Sequence, residues 1–303
     1  MAVCSSTAHR HARALPVRLY VSHNGLPTWF NTLSIISQVV MPKEPSVAVQ
    51  GGDMPQGTRL INTGHDKIDP TKPLVVQVGV LGAEYDRWTH EALPGIPRLF
   101  GPDWMEACTN TPWWVIPLMW CPIAFSCIAI SIQTFNHSLL SLSSRFMAGF
   151  ALWHLIEYTL HRFVFHLVPT DYFGITLHFL LHGIHHKYPN DPLRLVMPVI
   201  PGLLIAATLI GLFHQVLPWS EMFPLASGAM LGYVQYDCTH YFMHHGVFKG
   251  HPWFEPLRES HMEHHYRNHD RGYGITTSFF DFVFGTSNDI QRSWTTAAKA
   301  KAC

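Results

Sequence analysis

Histidine is the residue type whose abundance and spacing point to chemistry in this sequence. Of the 303 residues, 22 are histidine, and 15 of these lie between residues 154 and 265. They form four groups, which read His161-Arg-Phe-Val-Phe-His166, His182-Gly-Ile-His185-His186, His240-Tyr-Phe-Met-His244-His245 and His261-Met-Glu-His264-His265. Imidazole nitrogens are ligands for iron and zinc. So many imidazoles exceed the coordination of one ion, and the sequence therefore predicts a site for two metal ions.

Helical geometry explains three of the four spacings. Residues at i, i+3 and i+4 share one face of an α-helix, so the three histidines of each His-x-x-His-His group are predicted to converge on one point. The pair of His240 and His244 lies one helical turn apart. The five-residue step from His161 to His166 turns about 140° on an ideal helix. Those two rings face the same way only if the helix ends or bends there; otherwise they serve two different metals.

The histidines outside these spacings give a weaker indication of metal binding. A lone histidine near an apolar segment is usually a hydrogen-bonded packing residue, and this is the prediction for His137, His154, His214, His251 and His269. Two more stay open between packing and metal binding: His178, one turn before His182, and His245, next to His244.

Two carboxylates lie near the predicted ligands. Metal-bound histidines usually donate their other ring N–H to a carboxylate or a carbonyl. Glu157 is four residues before His161, and Asp237 is three residues before His240, so both are predicted partners of the metal-binding imidazoles. The alternative for both is a charge at a helix end that faces headgroups or water. Glu263 is expected to face solvent.

The histidines lie at the ends of long apolar stretches. Only 13% of the residues are charged, against about 25% in ordinary soluble domains. A helix needs about 20 apolar residues to cross a bilayer, and four stretches meet that need: 113–135, 146–166, 195–220 and 222–244. We therefore predict an all-α integral membrane protein of four transmembrane helices, with a cytosolic helical cap that carries the histidine-rich dimetal site.

The charges of the connecting segments predict the orientation. Lysine and arginine lie in the 167–194 connection and in the tail after residue 245. The other two connections, 136–145 and 218–221, contain only Arg145 and Glu221 as charged residues. By the positive-inside rule, that connection and both termini are cytosolic. The second and fourth apolar stretches end on the same side, so all four histidine groups are expected at one face of the membrane.

The rest of the chain is less informative. We predict four regions: a poorly ordered N-terminal extension with a possible targeting role (1–70), a pre-membrane cytosolic segment with a short helix around 82–91 (71–106), a membrane domain (107–290) and a C-terminal tail (291–303). The extension is basic and lacks acids before Glu44, which is typical of a transit peptide; an uncleaved flexible tail is the alternative. The six cysteines show no regular spacing, which argues against a disulfide framework. The 20 basic and 20 acidic side chains balance, so the chain has no net positive charge that would attract nucleic acid.

The ligand type leaves the metal and its chemistry open, since imidazoles suit both iron and zinc. Zinc has no redox activity, and it polarises a carbonyl or activates water for hydrolysis. Iron can activate O₂ and attack an unactivated C–H bond. A lipid-facing site beside apolar helices favours oxidation of an acyl chain.

Six stretches of the sequence resemble a known family. They are Lys72-Pro-Leu-Val-Val-Gln-Val-Gly-Val-Leu-Gly82, Ile156-Glu-Tyr-Thr-Leu-His161, His182-Gly-Ile-His-His-Lys-Tyr-Pro-Asn-Asp-Pro192, Tyr236-Asp-Cys-Thr-His240, Tyr273-Gly-Ile-Thr276 and Phe282-Val-Phe-Gly-Thr286. With them the chain resembles the fatty acid hydroxylase and sterol desaturase superfamily over residues 72–286. Within it, the stretches 72–82 and 182–192 make the chain look most like the plant and algal fatty acid 2-hydroxylases without a fused cytochrome b5 domain.

The resemblance implies a complete reaction. Ten residues would hold two metal ions, di-iron for O₂ chemistry with zinc as the alternative: His161, His166, His182, His185, His186, His240, His244, His261, His264 and His265. The reaction would be hydroxylation at C2 of a long-chain acyl group destined for ceramide. A separate cytochrome b5 and its reductase would supply electrons, because this chain has no His-Pro-Gly-Gly haem motif. Membrane lipid and ceramide synthase are further expected partners.

The family also implies a place in the cell, the endoplasmic reticulum membrane. Lys299 and Lys301, near the C-terminus, resemble a dilysine retrieval signal. Three other functions stay open: a related desaturase or sterol C-4/C-5 oxidase, a histidine-rich metal transporter, and a zinc-dependent membrane hydrolase. A transporter would place its ligands midway along several spans rather than at their ends.

Overall fold

The computed structural model describes residues 67–302, and within that range the chain forms helices and no β-strand. The all-α prediction is therefore confirmed for this part of the chain. The predicted extension lies outside the described residues except for 67–70, where Ile68 is buried. The four cysteines between residues 67 and 302 have free thiols.

Short helices occupy the segment before the first long apolar stretch. They are α1 (Val75–Val78), a 3-10 helix (Gly79–Glu84), α2 (Tyr85–His90) and α3 (Asp103–Ala107). The helix expected around 82–91 is confirmed by α2. Gly82 breaks the 3-10 helix with φ +53°, a conformation that suits a residue without a Cβ.

This segment packs onto the chain that carries the second histidine group. That partner chain contains α6 (Tyr172–His178), a π-helical turn (Phe179–Gly183) and α7 (Ile184–Lys187). Tyr85 and Trp88 share one buried core with Phe179 and Ile184. The ammonium group of Lys187 is fully buried, donates to two backbone carbonyls at the end of α2 and lies 4.4 Å from the centre of the Trp88 ring. Burial lowers the pKa of Lys187 to about 8. These contacts hold α7 in place against α2.

Each of the four predicted apolar stretches overlaps one long helix, and the second of these helices begins at Leu139, seven residues before the predicted start at residue 146. The four helices are α4 (Val115–Gln133), α5 (Leu139–Leu160), α8 (Val199–His214) and α9 (Trp219–His245). Two of them are long and apolar enough to cross a bilayer: Val115–Gln133, with mean hydropathy 2.1, and α5 with its extension to Phe165, with mean hydropathy 1.3. Large apolar side chains on both, such as Leu118, Phe125 and Met147, are exposed. Such surfaces are typical of contact with lipid.

Glycines allow α5 and α9 to pack backbone against backbone. A Cβ on Gly149 would lie 1.9 Å from the backbone oxygen of Leu225, and a Cβ on Gly228 would lie 1.9 Å from that of Phe146. Small residues serve this purpose in membrane helix pairs. The close packing brings the C-terminal ends of both helices to the same side of the protein, where His161 follows α5 and His240 lies near the end of α9.

Three helices follow the last of the long ones. They are α10 (Glu255–Tyr266), α11 (Phe279–Phe284) and α12 (Asp289–Ala302). The predicted tail is thus helical through Ala302, and Gln291, in its first turn, is fully buried. The loop between α10 and α11 returns to the end of α5, where it contributes to the site described next.

Candidate metal centre

The structure brings all ten predicted histidines together in two groups of five. The first group contains His161, His166, His182, His186 and His264, and the second contains His185, His240, His244, His261 and His265. Within each group, one ring nitrogen per residue lies within 4.8 Å of the others. Each group therefore has the donor set for one metal ion.

The five-residue step between His161 and His166 is accommodated by a π-helical turn, His161–Phe165. The N–H of His166 donates to the carbonyl oxygen of His161 at 3.1 Å, so five residues complete one wide turn. The two ring centroids lie 4.9 Å apart. Both rings belong to the first group, and of the alternatives left open by the sequence, a change in the helix is the one observed.

The prediction that each His-x-x-His-His motif converges on one point is wrong. His182 and His186 join the first group, whereas His185 joins the second. In α10 the arrangement is reversed, because His261 and His265 join the second group and His264 the first. The physical reason is that each helix lies between the two groups. Its i, i+4 pair faces one group and its remaining histidine faces the other.

In six of the ten imidazoles, Nε2 meets the Nε2 atom of another ring of the same group. Three pairs of Nε2 atoms approach to 2.9–3.0 Å: His182 with His186, His185 with His265, and His244 with His261. The Nε2 atoms of the other four, His161, His166, His240 and His264, are buried without a hydrogen-bond partner. Buried polar atoms are rarely left unpaired. Ten converging nitrogens fit two bound metal ions, which would occupy their lone pairs.

Burial favours the neutral form of the imidazoles outside the long helices. Six of the ligands lie on α7, on α10 and in the π-helical turn that precedes α7. Burial is the largest cause that lowers the pKa of each of these six imidazoles below its usual value, and neighbouring imidazoles lower it further. The six are His182, His185, His186, His261, His264 and His265. Neutral imidazole is the metal-binding form, and burial of these rings favours it.

Backbone carbonyls orient two ligands of the first group. Nδ1–H of His161 donates to the carbonyl oxygen of Tyr273 at 2.6 Å, and Nδ1–H of His264 donates to that of Arg271 at 2.9 Å. A carbonyl only accepts, so each Nδ1 carries the proton and each Nε2 keeps its lone pair. This is the usual support for a metal-binding histidine.

The two predicted carboxylates hydrogen-bond to groups other than the ten imidazoles. Glu157 accepts from the backbone N–H of Ile275 and of Thr276, both at 2.9 Å, and from the Thr276 hydroxyl. It thereby holds the loop whose Tyr273 carbonyl orients His161. Asp237 accepts from the N–H of Met197 and from the hydroxyl of Tyr233. Both carboxylates are buried, which excludes the alternative of a charge facing headgroups or water.

A third carboxylate, Asp281, supports the same loop and was missed by the sequence reasoning. It accepts from the N–H of Tyr273 and of Gly274 and from the side chains of Thr286 and Gln291. The signal available in the sequence was an acid inside an otherwise apolar run, Phe279–Phe284.

The prediction of a solvated Glu263 is wrong, since this side chain is 7% exposed. Its carboxylate accepts from the N–H of Asp289 and of Ile290, the first residues of α12. The exposed N–H groups at a helix start attract an acid. The contact spans 26 residues of sequence, which local spacing does not reveal.

Most of the remaining histidines have structural partners. His178 accepts from the Tyr85 hydroxyl at 2.7 Å and donates to the Phe165 carbonyl at 2.6 Å. The ring of His245 packs on Tyr241. Neither joins the two groups of five. His137, His154 and His214 hydrogen-bond to protein groups as expected, and His251 packs on Trp253. His269 differs, because it stacks on His90 beside the first group.

A cavity of 420 Å³ adjoins both groups. It is lined mainly by apolar side chains of α5, α8 and α9, and three of the ten imidazoles also line it: His182 of the first group, and His185 and His240 of the second. Lining residues on α9 extend from Met222 to His240, which is about 27 Å at the rise of an α-helix. The arrangement offers a long apolar molecule a path that ends at the imidazoles.

Comparison with known proteins gives one consistent result. A sequence model of the fatty acid hydroxylase family matches residues 146–286. The dihydroceramide fatty acyl 2-hydroxylase FAH2 of Arabidopsis thaliana is 43% identical over 227 residues, which cover 74% of this chain and 94% of that protein. The ceramide very long chain fatty acid hydroxylase SCS7 of Saccharomyces cerevisiae is 35% identical over 231 residues, or 73% of this chain and 59% of that protein.

A solved structure agrees with these matches. The hydroxylase domain of full-length scs7p superimposes with a TM-score of 0.70 at 35% identity, covering 75% of this chain and 87% of that one. The histidine groups, the apolar cavity and the similar proteins all lead to the same assignment. The chain belongs to the fatty acid hydroxylase family.

Proposed function

We propose that this chain is a dimetal, O₂-dependent oxidoreductase that places a hydroxyl group on C2 of a long-chain fatty acyl group used in sphingolipid synthesis. The observation that carries the proposal is the convergence of ten imidazole rings, one nitrogen from each, beside a long apolar cavity. The names of the similar proteins support the choice of reaction, since the Arabidopsis relative is a dihydroceramide fatty acyl 2-hydroxylase.

The ten histidines are the proposed ligands of two metal ions, five for each. Iron is the expected metal because attack on an unactivated C–H bond requires a redox-active ion, whereas zinc has no redox activity. When bound, the metal pair supplies the activation of O₂. The protein buries most of the imidazoles and orients two of them through carbonyls, such as that of Tyr273 for His161.

The cavity is the proposed acyl-chain site. Its apolar walls exclude water and favour an extended hydrocarbon chain, at roughly 25 cal/mol for each Å² of apolar surface removed from water. With the chain along α9, the carboxyl end lies nearest His240 and the tail toward Met222. C2, which adjoins the carbonyl carbon, is then the carbon placed beside the imidazoles, while the tail carbons are held far from them.

The membrane arrangement is also a proposal. The helices α4, α5, α8 and α9 are the four spans, with the metal centre and both termini on the cytosolic side of the endoplasmic reticulum membrane. The 16 residues of α8 give about 24 Å of helix, so its flanking residues would complete the crossing. A separate cytochrome b5 and its reductase are the proposed electron donors, and ceramide synthase is a proposed partner. A targeting role for residues 1–70 stays a prediction.

The test is an assay of the purified protein in lipid nanodiscs. Metal content is measured first, and the protein is then given acyl substrate, cytochrome b5, its reductase, NADH and ¹⁸O₂. The expected product is a 2-hydroxy acyl chain that carries one ¹⁸O atom. New double bonds would instead identify a desaturase, and hydrolysis in the absence of O₂ would identify a zinc hydrolase. His251→Ala, on an exposed ring outside both groups, is the control expected to keep activity.

A further inference from the structure

A third set of metal-binding side chains lies outside the two groups of five. Asp86 and His90 are one turn apart on α2, so they share a face of that helix. His269 comes from the loop after α10. One ligand atom from each of the three residues lies within 4.8 Å of the others.

The three side chains are already assembled. The carboxylate Oδ1 of Asp86 lies 3.3 Å from Nδ1 of His90, and the His90 and His269 rings stack with centroids 3.6 Å apart. Nδ1 of His90 also lies 2.8 Å from the backbone oxygen of Asp86, which fixes this ring at the end of α2. For His269, no hydrogen bond is recorded within residues 67–302, so its ring can turn toward an ion without breaking one.

The set differs from the two histidine groups in charge and in access. Two imidazoles and one carboxylate are a common donor set for divalent transition metals. The carboxylate brings a negative charge, which the all-imidazole groups lack and which offsets repulsion from ions held nearby. All three side chains are only partly buried, whereas most members of the groups of five are fully buried. An ion from solvent would therefore reach these three first.

The set also adjoins the first group. The ring centroid of His90 lies 4.9 Å from that of His186 and 6.1 Å from that of His166. We propose that Asp86, His90 and His269 bind a third divalent transition-metal ion, at a solvent-accessible site on the outer side of the first histidine group. This site is additional to the dimetal centre and does not depend on the reaction that the centre performs.

The experiment measures metal stoichiometry. Full-length protein without a histidine tag is stripped of metal in nanodiscs and titrated with Co²⁺, and bound cobalt is determined by elemental analysis after equilibrium dialysis. The expected result is three equivalents for the unaltered chain. Visible absorption of Co²⁺ reports separately on the third equivalent, because a carboxylate-containing site differs in ligand field from an all-imidazole site.

Two variants on different elements identify the residues. Asp86→Asn and His269→Ala are each expected to lose the third equivalent and to keep the first two, while His251→Ala keeps all three. Saturation of the unaltered chain at two equivalents would overturn the proposal, and so would retention of the third equivalent in both variants. Loss of all three in either variant would also overturn it, since that side chain would then support the first group rather than bind its own ion.

Discussion

Glu157 offers the sharpest test of how the site is held together. The carboxylate joins α5 to the loop of residues 271–276 through two backbone N–H groups and one hydroxyl. Glu157→Ala removes all three acceptor contacts. We expect the loop to detach, the Tyr273 carbonyl to leave His161, and the first metal ion to be lost.

The size of the effect follows from the hydrogen bonds. Each buried donor that loses its acceptor costs about 1–3 kcal/mol, so stranding two backbone N–H groups costs about 4 kcal/mol in the equilibrium between attached and detached loop. At 1.4 kcal/mol for each factor of ten, this is close to a thousandfold.

Glu157→Gln is the matched conservative change. The glutamine Oε1 still accepts from both backbone N–H groups, and the glutamine amide donates to the Thr276 hydroxyl. That hydroxyl then donates to Nδ1 of His154, which lies 2.8 Å from it. We expect a cost of only about 1 kcal/mol.

The assay compares thermal unfolding midpoint, metal content and hydroxylation for both variants. Glu259→Ala, which alters an exposed acid, is the control for a change of charge. Equal damage from Gln and Ala would refute the hydrogen-bonding role, since it would show that the negative charge itself is required. Full metal content in Glu157→Ala would refute the link between the loop and the site.

Three further substitutions distinguish metal ligands, residues that stabilise the surrounding structure and residues that line the substrate cavity. His264→Ala should abolish hydroxylation and lower the metal content while membrane insertion, measured by alkaline extraction, stays intact. His178→Ala strands the Tyr85 hydroxyl, so it should lower stability by about 2 kcal/mol but keep both ions of the dimetal centre by elemental analysis. Ala229→Phe narrows the cavity about 16 Å from His240 along α9. It should shift the 2-hydroxy products, measured by lipid mass spectrometry, to shorter chains. Leu204→Phe changes an exposed residue outside the cavity lining and should leave the chain length of the products unchanged.

The positions of the long helices were predictable because apolar residues are concentrated in blocks. Each block of roughly 20 residues overlaps one long helix, although in the block 195–220 that helix covers only Val199–His214. Prolines explain that difference: Pro198 precedes the first residue of α8, and Pro218 precedes the first residue of α9. A hydropathy pattern detects the block, whereas the helix limits depend on such local residues.

The ligand residues were predictable from spacing, but their division between two groups was not. Helical periodicity puts His182, His185 and His186 on one face without saying what lies on either side of that face. The π-helical turn at His161–Phe165 was equally hidden. It is stabilised where His161 meets the Tyr273 carbonyl, 112 residues later in the chain, and every residue has a carbonyl, so the sequence does not mark which one is used.

The distribution of the ligands along the chain has a consequence for biosynthesis. Both groups of five require residues from α10, and two imidazoles of the first group also require carbonyls at Arg271 and Tyr273. Neither ion can be fully enclosed until the ribosome has made α10, which follows all four long apolar helices. Metal insertion is therefore a late event in maturation, and a message truncated before codon 261 would encode a chain with all the long apolar helices and no complete metal site.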